Sequence, residues 1–166
     1  MAVKEILTYP DERLKRLAEK VERFDSELRD LIADLEQTRQ AGPAAVGIAA
    51  PQIGYNKRIV IVDVSGRKKT HNHGYLVLVN PEITEWEGFE VGREGCLSVP
   101  DYTGNVIRAE KISLQAYDPQ GNTIKIETHG FEARAIQHEL DHLDGLLFLD
   151  RLVSRRNDLF ERKNYK

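Results

Sequence analysis

The sequence predicts an α+β fold in which antiparallel strands pack around a C-terminal helix, with further helices at the N-terminal end. Two observations predict it. Apolar residues recur at helical spacing before Gly42 and again after Phe131, while the stretch between them carries β-branched runs of strand length divided by turn-forming residues. The hydrophobic period therefore changes twice along the chain.

Pro10 and Asp11 open a charged stretch in which Leu14, Leu17, Ala18 and Val21 are spaced as on a short amphipathic helix. A longer helix is expected from Ser26, its N-cap, with Leu28, Leu31, Ile32 and Leu35 on one face and Gly42-Pro43 as its stop. The segment Ala44 to Gly54 is rich in small residues around one polar side chain, Gln52, so another group must approach this backbone closely. Ile59 to Val64 and Tyr75 to Val79 read as a hairpin joined by the polar loop Ser65 to Gly74. Ile112 to Tyr117 and Thr123 to Glu127 bracket the turn Asp118-Pro119-Gln120-Gly121-Asn122 and form a second pair. From Phe131 the residues Phe131, Ala135, His138 and His142 share one helical face, and Gly145 ends that helix. Leu146 to Phe148 and a charged tail to Lys166 follow.

At 166 residues the chain fits a single domain, 1–166. Its 40% hydrophobic and 31% charged residues, with a formal net charge of −3, describe an ordinary globular protein and exclude the strongly basic footprint of a nucleic-acid binder. The N-terminal residues hold no apolar run long enough for a signal peptide or a membrane span, so the expected location is cytoplasmic. The single cysteine, Cys96, cannot form an internal disulfide; it is a core residue, a reactive thiol or a metal ligand.

His138-Glu139-Leu140-Asp141-His142 places two imidazoles one turn apart, about 40° from each other around the helix axis, so both can reach one cation. Glu139, beside one histidine and three residues from the other, can take a proton from water activated at that cation. A catalytic site of this kind needs a third protein ligand. The extended metzincin pattern would put a histidine where Phe148 stands, and a gluzincin-like protease would use a downstream glutamate, for which Glu161 is the candidate. Cys96 is the better answer, because a thiolate binds late first-row divalent metals strongly and Gly95 and Pro100 shape its surroundings, with Pro100 expected to end regular pairing.

Three blocks, Gly47-Ile48-Ala49-Ala50-Pro51-Gln52-Ile53-Gly54, Glu94-Gly95-Cys96-Leu97-Ser98 and Gln137-His138-Glu139-Leu140-Asp141-His142-Leu143, resemble the three signature motifs of peptide deformylases in the same order. The resemblance extends to Pro10-Asp11 with Leu14 and to Arg108. It implies an enzyme that removes the formyl group from the initiator methionine of new polypeptides. It implies Cys96, His138 and His142 as ligands of one divalent metal, typically Fe2+ within the family. Zn2+, Ni2+ and Co2+ also suit such a donor set. Glu139 becomes the catalytic carboxylate, and the Gln52 amide and Leu97 N–H become the oxyanion donors. Two positions depart from the family pattern: Ala45 stands where a glycine is usual, and Asp101-Tyr102-Thr103-Gly104-Asn105 lacks the usual polar contact to peptide.

Ala45, Val46 and Gly47 are the expected edge for an extended substrate, and Phe131 and Ala135 border the methionine pocket or simply pack in the core. The expected partners are N-formylmethionyl nascent chains, met at the ribosome by a monomer that binds neither nucleic acid nor membrane. A metallopeptidase using the same helix and a silent paralogue that binds nascent chains are the rival readings. His71 and His73 read as solvated loop residues, His129 as part of the helix entry, and Glu94 with Arg108 as a pair that holds the cysteine loop or lies on the surface.

Overall fold

The computed structural model describes residues 2–43 and 45–162. Ala44 of the small-residue segment and the end of the charged tail, 163–166, lie outside the described residues.

The first helix, α1, runs over Ser26–Ala41, and its N-cap is Asp25 in place of Ser26: the Asp25 carboxylate accepts the Leu28 N–H. It buries Leu28, Ile32, Leu35 and Thr38. β1 (Gly47–Ala49), β2 (Ile59–Val62) and β3 (Leu76–Glu87) follow, then β4 (Glu90–Cys96), β5 (Val99–Arg108), β6 (Lys111–Tyr117) and β7 (Thr123–His129). The second helix, α2, spans Gly130–Leu143, and β8 is Leu159–Glu161. Five strands form one sheet in the order β1-β2-β3-β6-β7, and β4-β5-β8 form another, with every pairing antiparallel.

The five-stranded sheet lies between the two helices. On one face Val60, Val62, Leu78, Leu114 and Ile126 pack against Ala133, Ile136, Leu140 and Leu143 of α2. On the other, Ile59, Ile61 and Val79 meet Leu28, Ile32 and Leu35 of α1. Alternate residues of β2 thus face opposite helices, which is why Ile59-Val60-Ile61-Val62 is apolar at every position and fully buried.

The helix expected from Leu14 to Val21 is not formed. A single 3-10 turn, Glu12–Lys15, ends at Arg16 in extended backbone, and the peptide groups beyond it bond to distant segments. Ala18 N–H donates to Leu143 carbonyl at 2.8 Å and Glu19 N–H to Asn56 carbonyl at 3.0 Å. Leu14, Ala18 and Val21 are buried as expected, but Leu17 is 68% exposed because the chain is extended there. The strand expected to reach Val64 ends at Val62, and the strand expected to end at Val79 continues to Glu87. That continuation passes Asn80, which has φ +51 and bonds through its side chain to both backbone groups of Val21, and then Pro81 at a register shift. Pro100 does not end pairing; it lies in β5, within the irregularity that separates the Cys96↔Val99 pair from Gly95↔Thr103. Among the described residues no helix is long and apolar enough to cross a membrane.

Candidate metal centre

Three elements meet at the end of α2. Cys96 is the last residue of β4, where a bulge bends the β4–β5 hairpin and redirects its side chains. His138, Glu139 and His142 project from α2, and Gln52 from the 3-10 turn Ala50–Ile53. One donor atom from each of Cys96, His138 and His142 lies within 4.8 Å of the other two, and all three residues are buried.

Cys96 Sγ is 3.4 Å from His142 Nε2. Tetrahedral ligation by one sulfur at about 2.3 Å and one nitrogen at about 2.05 Å would set these atoms about 3.6 Å apart. The donor set therefore fits a late first-row divalent metal with little movement. The Ser98 backbone N–H points at the sulfur from 3.4 Å and Gln52 Nε2 from 3.6 Å, both contacts that favour a thiolate. Gln52 is itself fixed: its Oε1 accepts the Ala49 N–H at 2.9 Å and its Nε2 donates to Ser98 Oγ at 3.0 Å.

Behind the histidines lies a buried charge network. His138 Nδ1 meets Glu94 Oε1 at 2.8 Å, which leaves Nε2 free to face the cysteine. Glu94 also accepts two hydrogen bonds at 2.9 Å from Arg108 and one at 2.7 Å from Arg134. Arg108 reaches on to Asp141, and Arg151 covers Asp141 from the outer side. Burial works against charge on Glu94, but the bonds from His138 and Arg108 prevail and hold its carboxyl well below the usual carboxylate range. Burial also opposes charge on His138, while Cys96 and Glu94 raise it more strongly. Burial and the neighbouring His138 push His142 well below the ordinary histidine value, a direction that favours the neutral imidazole a metal ligand offers; a cation at the centre would oppose the charge on His138 in the same way.

Glu139 has no hydrogen-bond partner for its buried Oε1, which stands 4.0 Å from His142 Nε2. Burial pushes its carboxyl up to about 7, so it exchanges a proton near neutrality; a cation beside it would act in the opposite sense. A cleft of about 1090 Å³ opens over this group. Gln52, Cys96, Leu97, His138 and Glu139 border it, and so do Ala45, Val46, Gly47, Phe131 and Ala135. His142, 1% exposed, lies behind. Phe131 and Ala135 serve both surfaces, because each also packs in the core against the sheet. Gly47 is required by close approach: a Cβ there would lie 2.6 Å from Glu139 Oε2. β1, to which it belongs, is an edge strand.

The family described as Polypeptide deformylase matches this chain over residues 3–158. This chain belongs to that family. Among similar members, the peptide deformylase of Thermodesulfovibrio yellowstonii is 42% identical over 98% of this chain and 97% of its own length. That of Heliobacterium modesticaldum is 47% identical over 92% of this chain and 95% of its own. A crystal structure of a peptide deformylase from Legionella pneumophila has a TM-score of 0.84 at 43% identity, covering 93% of this chain and 90% of that one. The Ehrlichia chaffeensis peptide deformylase in complex with actinonin has a TM-score of 0.87 at 36% identity, over 94% and 92%. The deformylase family is metal-dependent, and the α+β architecture is shared.

Within this deformylase-family chain the sequence reading missed Arg134 and Asp141. Their signal was charge on the buried side of α2, one turn either side of His138. Glu94 and Arg108 do pair, and the pair is buried, not a surface contact: their side chains are 6% and 3% exposed. His71 and His73 are exposed, but His73 is not merely solvated, since it bonds to buried Glu132.

Proposed function

We propose that this chain, acting as one catalytic domain over 1–166, hydrolyses the formyl group from the initiator methionine of newly synthesised polypeptides and releases formate. The observation that carries the reading is the convergence of one sulfur and two imidazoles within 4.8 Å, beside a buried carboxylate and at the floor of an open cleft. Cys96, His138 and His142 would hold the metal, which we read as Fe2+. A divalent cation held there supplies Lewis acidity, drawing electrons from the formyl carbonyl and making water more acidic.

The protein's own groups do the rest. Glu139, buried beside the centre with no hydrogen-bond partner for its Oε1, takes a proton from water as its oxygen adds to the formyl carbon. The Gln52 amide, anchored at its oxygen by Ala49 N–H, presents its NH2 toward the sulfur side of the centre and donates to the developing oxyanion, together with the Leu97 N–H. When the C–N bond breaks, Glu139 returns its proton to the departing amine, and formate and a free N-terminus leave. The peptide chain pairs with the Ala45 to Gly47 edge beside β1, and the methionine side chain lies against Phe131 and Ala135. The substrate is met in the cytoplasm, as chains leave the ribosome, by a monomer.

Formate release from a formyl-Met peptide, by protein prepared anaerobically with Fe2+, tests the reading. Turnover is expected in the parent and a loss of at least about a hundredfold in Glu139→Ala with metal retained. A metal-loaded parent that releases no formate would sink the assignment. Cys96→Ala is expected to lose metal and activity together, whereas a metallopeptidase that used the helix alone would keep its metal.

A further inference from the structure

A second set of metal-ligating side chains lies outside the catalytic centre. His71 and His73 stand in the loop between β2 and β3, and Glu132 is on the first turn of α2; one donor atom from each lies within 4.8 Å of the other two. Glu132 is fully buried at 0% exposure, and its side chain is bonded by His73 and Thr128. Its Oε2 accepts the His73 backbone N–H at 2.6 Å, and its Oε1 accepts the Thr128 hydroxyl at 2.8 Å and faces His73 Nδ1 at 2.5 Å. A carboxylate taken out of water to this depth calls for a compensating charge. The two imidazoles are also held in place. The His71 ring stacks on His129 at 4.4 Å between centroids with 16° between planes, and stands edge-on to His73 at 5.2 Å.

We propose that His71, His73 and Glu132 form a second divalent-metal site, of the zinc and nickel class, that fastens the loop 65–74 to the start of α2. Two imidazoles and one carboxylate suit borderline cations and leave a fourth position to water. The cation takes the place of the proton between His73 Nδ1 and Glu132, which at tetrahedral angles needs these atoms about 3.3 Å apart and so an outward shift of under about 1 Å. His73 is on an exposed loop that can supply this movement, while the His73 N–H and Thr128 bonds keep the carboxylate oriented. The consequence reaches the cleft. Ser65, Gly66 and Arg67 of the same loop form part of its rim, and the Arg67 guanidinium lies 3.9 Å over the Phe131 ring. An ion at His71 and His73 fixes that rim without touching Cys96, His138, Glu139 or His142.

The test is Zn2+ stoichiometry of the full chain by equilibrium dialysis and elemental analysis, in the parent, His71→Ala and Cys96→Ala. His71→Ala is the informative variant, because it removes an exposed ligand and leaves every His73–Glu132 bond in place. Two equivalents are expected in the parent and one in each variant. A parent that binds one equivalent unaffected by His71→Ala, or a His71→Ala protein that still binds two, overturns the proposal. A parent that binds one equivalent which His71→Ala removes would retain this site and count against the Cys96 centre. Tryptic cleavage after Arg67, Lys68 and Lys69, all exposed, gives a second readout. With Zn2+ at ten times its Kd, cleavage is expected to slow about tenfold in the parent and in Cys96→Ala but not in His71→Ala; equal rates with and without Zn2+ would refute the fastening.

Discussion

Gly47 shows how closely a single atom can be specified. It lies in β1 opposite Val62, and the strand geometry would accept any small side chain, but the space beyond its Cα is filled by the Glu139 carboxylate. Gly47→Ala is expected to leave the sheet and the metal in place and to displace Glu139 from its position over the centre. A misplacement on the order of 1 Å in a catalytic group costs about a hundredfold in rate. Hydrolysis measured beside metal content tests this: unchanged turnover would show that the carboxylate has room to yield. The small-residue character of this segment was legible in the sequence as a demand for close approach. The approaching group was not, because Glu139 lies ninety-two positions away and nothing local names it.

At the scale of elements, α2 was legible because its apolar stripe and its histidines fall on one helical period, and β2 because it is apolar on both faces. The hairpin of β6 and β7 was legible through Asp118, whose carboxylate accepts the N–H groups of Gln120 and Asn122. The segment from Leu14 to Val21 misled, since its spacing is helical while its hydrogen bonds go to Leu143 and Asn56, which only the tertiary structure supplies. β4 and β5 were illegible because Glu94, Arg108 and Arg134 meet in the interior, where a pattern of apolar positions cannot report them. That network joins the hairpin to α2, and Glu94 is its hub. Glu94→Gln leaves two buried guanidinium groups facing a neutral amide; removing one partner of such a cluster costs about 3–5 kcal/mol. For a chain of this size the Tm is expected to fall by roughly 6–20 °C. Because Glu94 also orients His138, metal affinity is expected to drop about 10–100-fold. Thermal unfolding and a metal titration check the two halves, and a variant as stable as the parent would mean that Arg108 finds enough compensation in Asp141 alone.

Across the whole molecule, the centre is assembled where the two sheets meet. Cys96 comes from the three-stranded sheet, the histidines from a helix packed on the five-stranded one, and Gln52 from the turn that follows β1. Cys96 and His142 are 46 positions apart and are brought together only by folding, so a metal held between them binds the native state and not the unfolded chain. Bound ligand at a thousand times its Kd stabilises by about 4 kcal/mol. At about 2–4 °C per kcal/mol for a chain of this length, removing the metal with a chelator is expected to lower Tm by about 8–16 °C. Measuring this in the His71→Ala background separates the Cys96 centre from any ion at the loop site. In Cys96→Ser the chelator is expected to change Tm very little, because the sulfur that ties one sheet to the other is gone. If the chelator left Tm unchanged with Cys96 intact, the sulfur and imidazoles would be neighbours packed without a shared ion, and the link between the two sheets would rest on direct protein contacts such as those of Glu94 with its arginines and of Gln52 with Ser98.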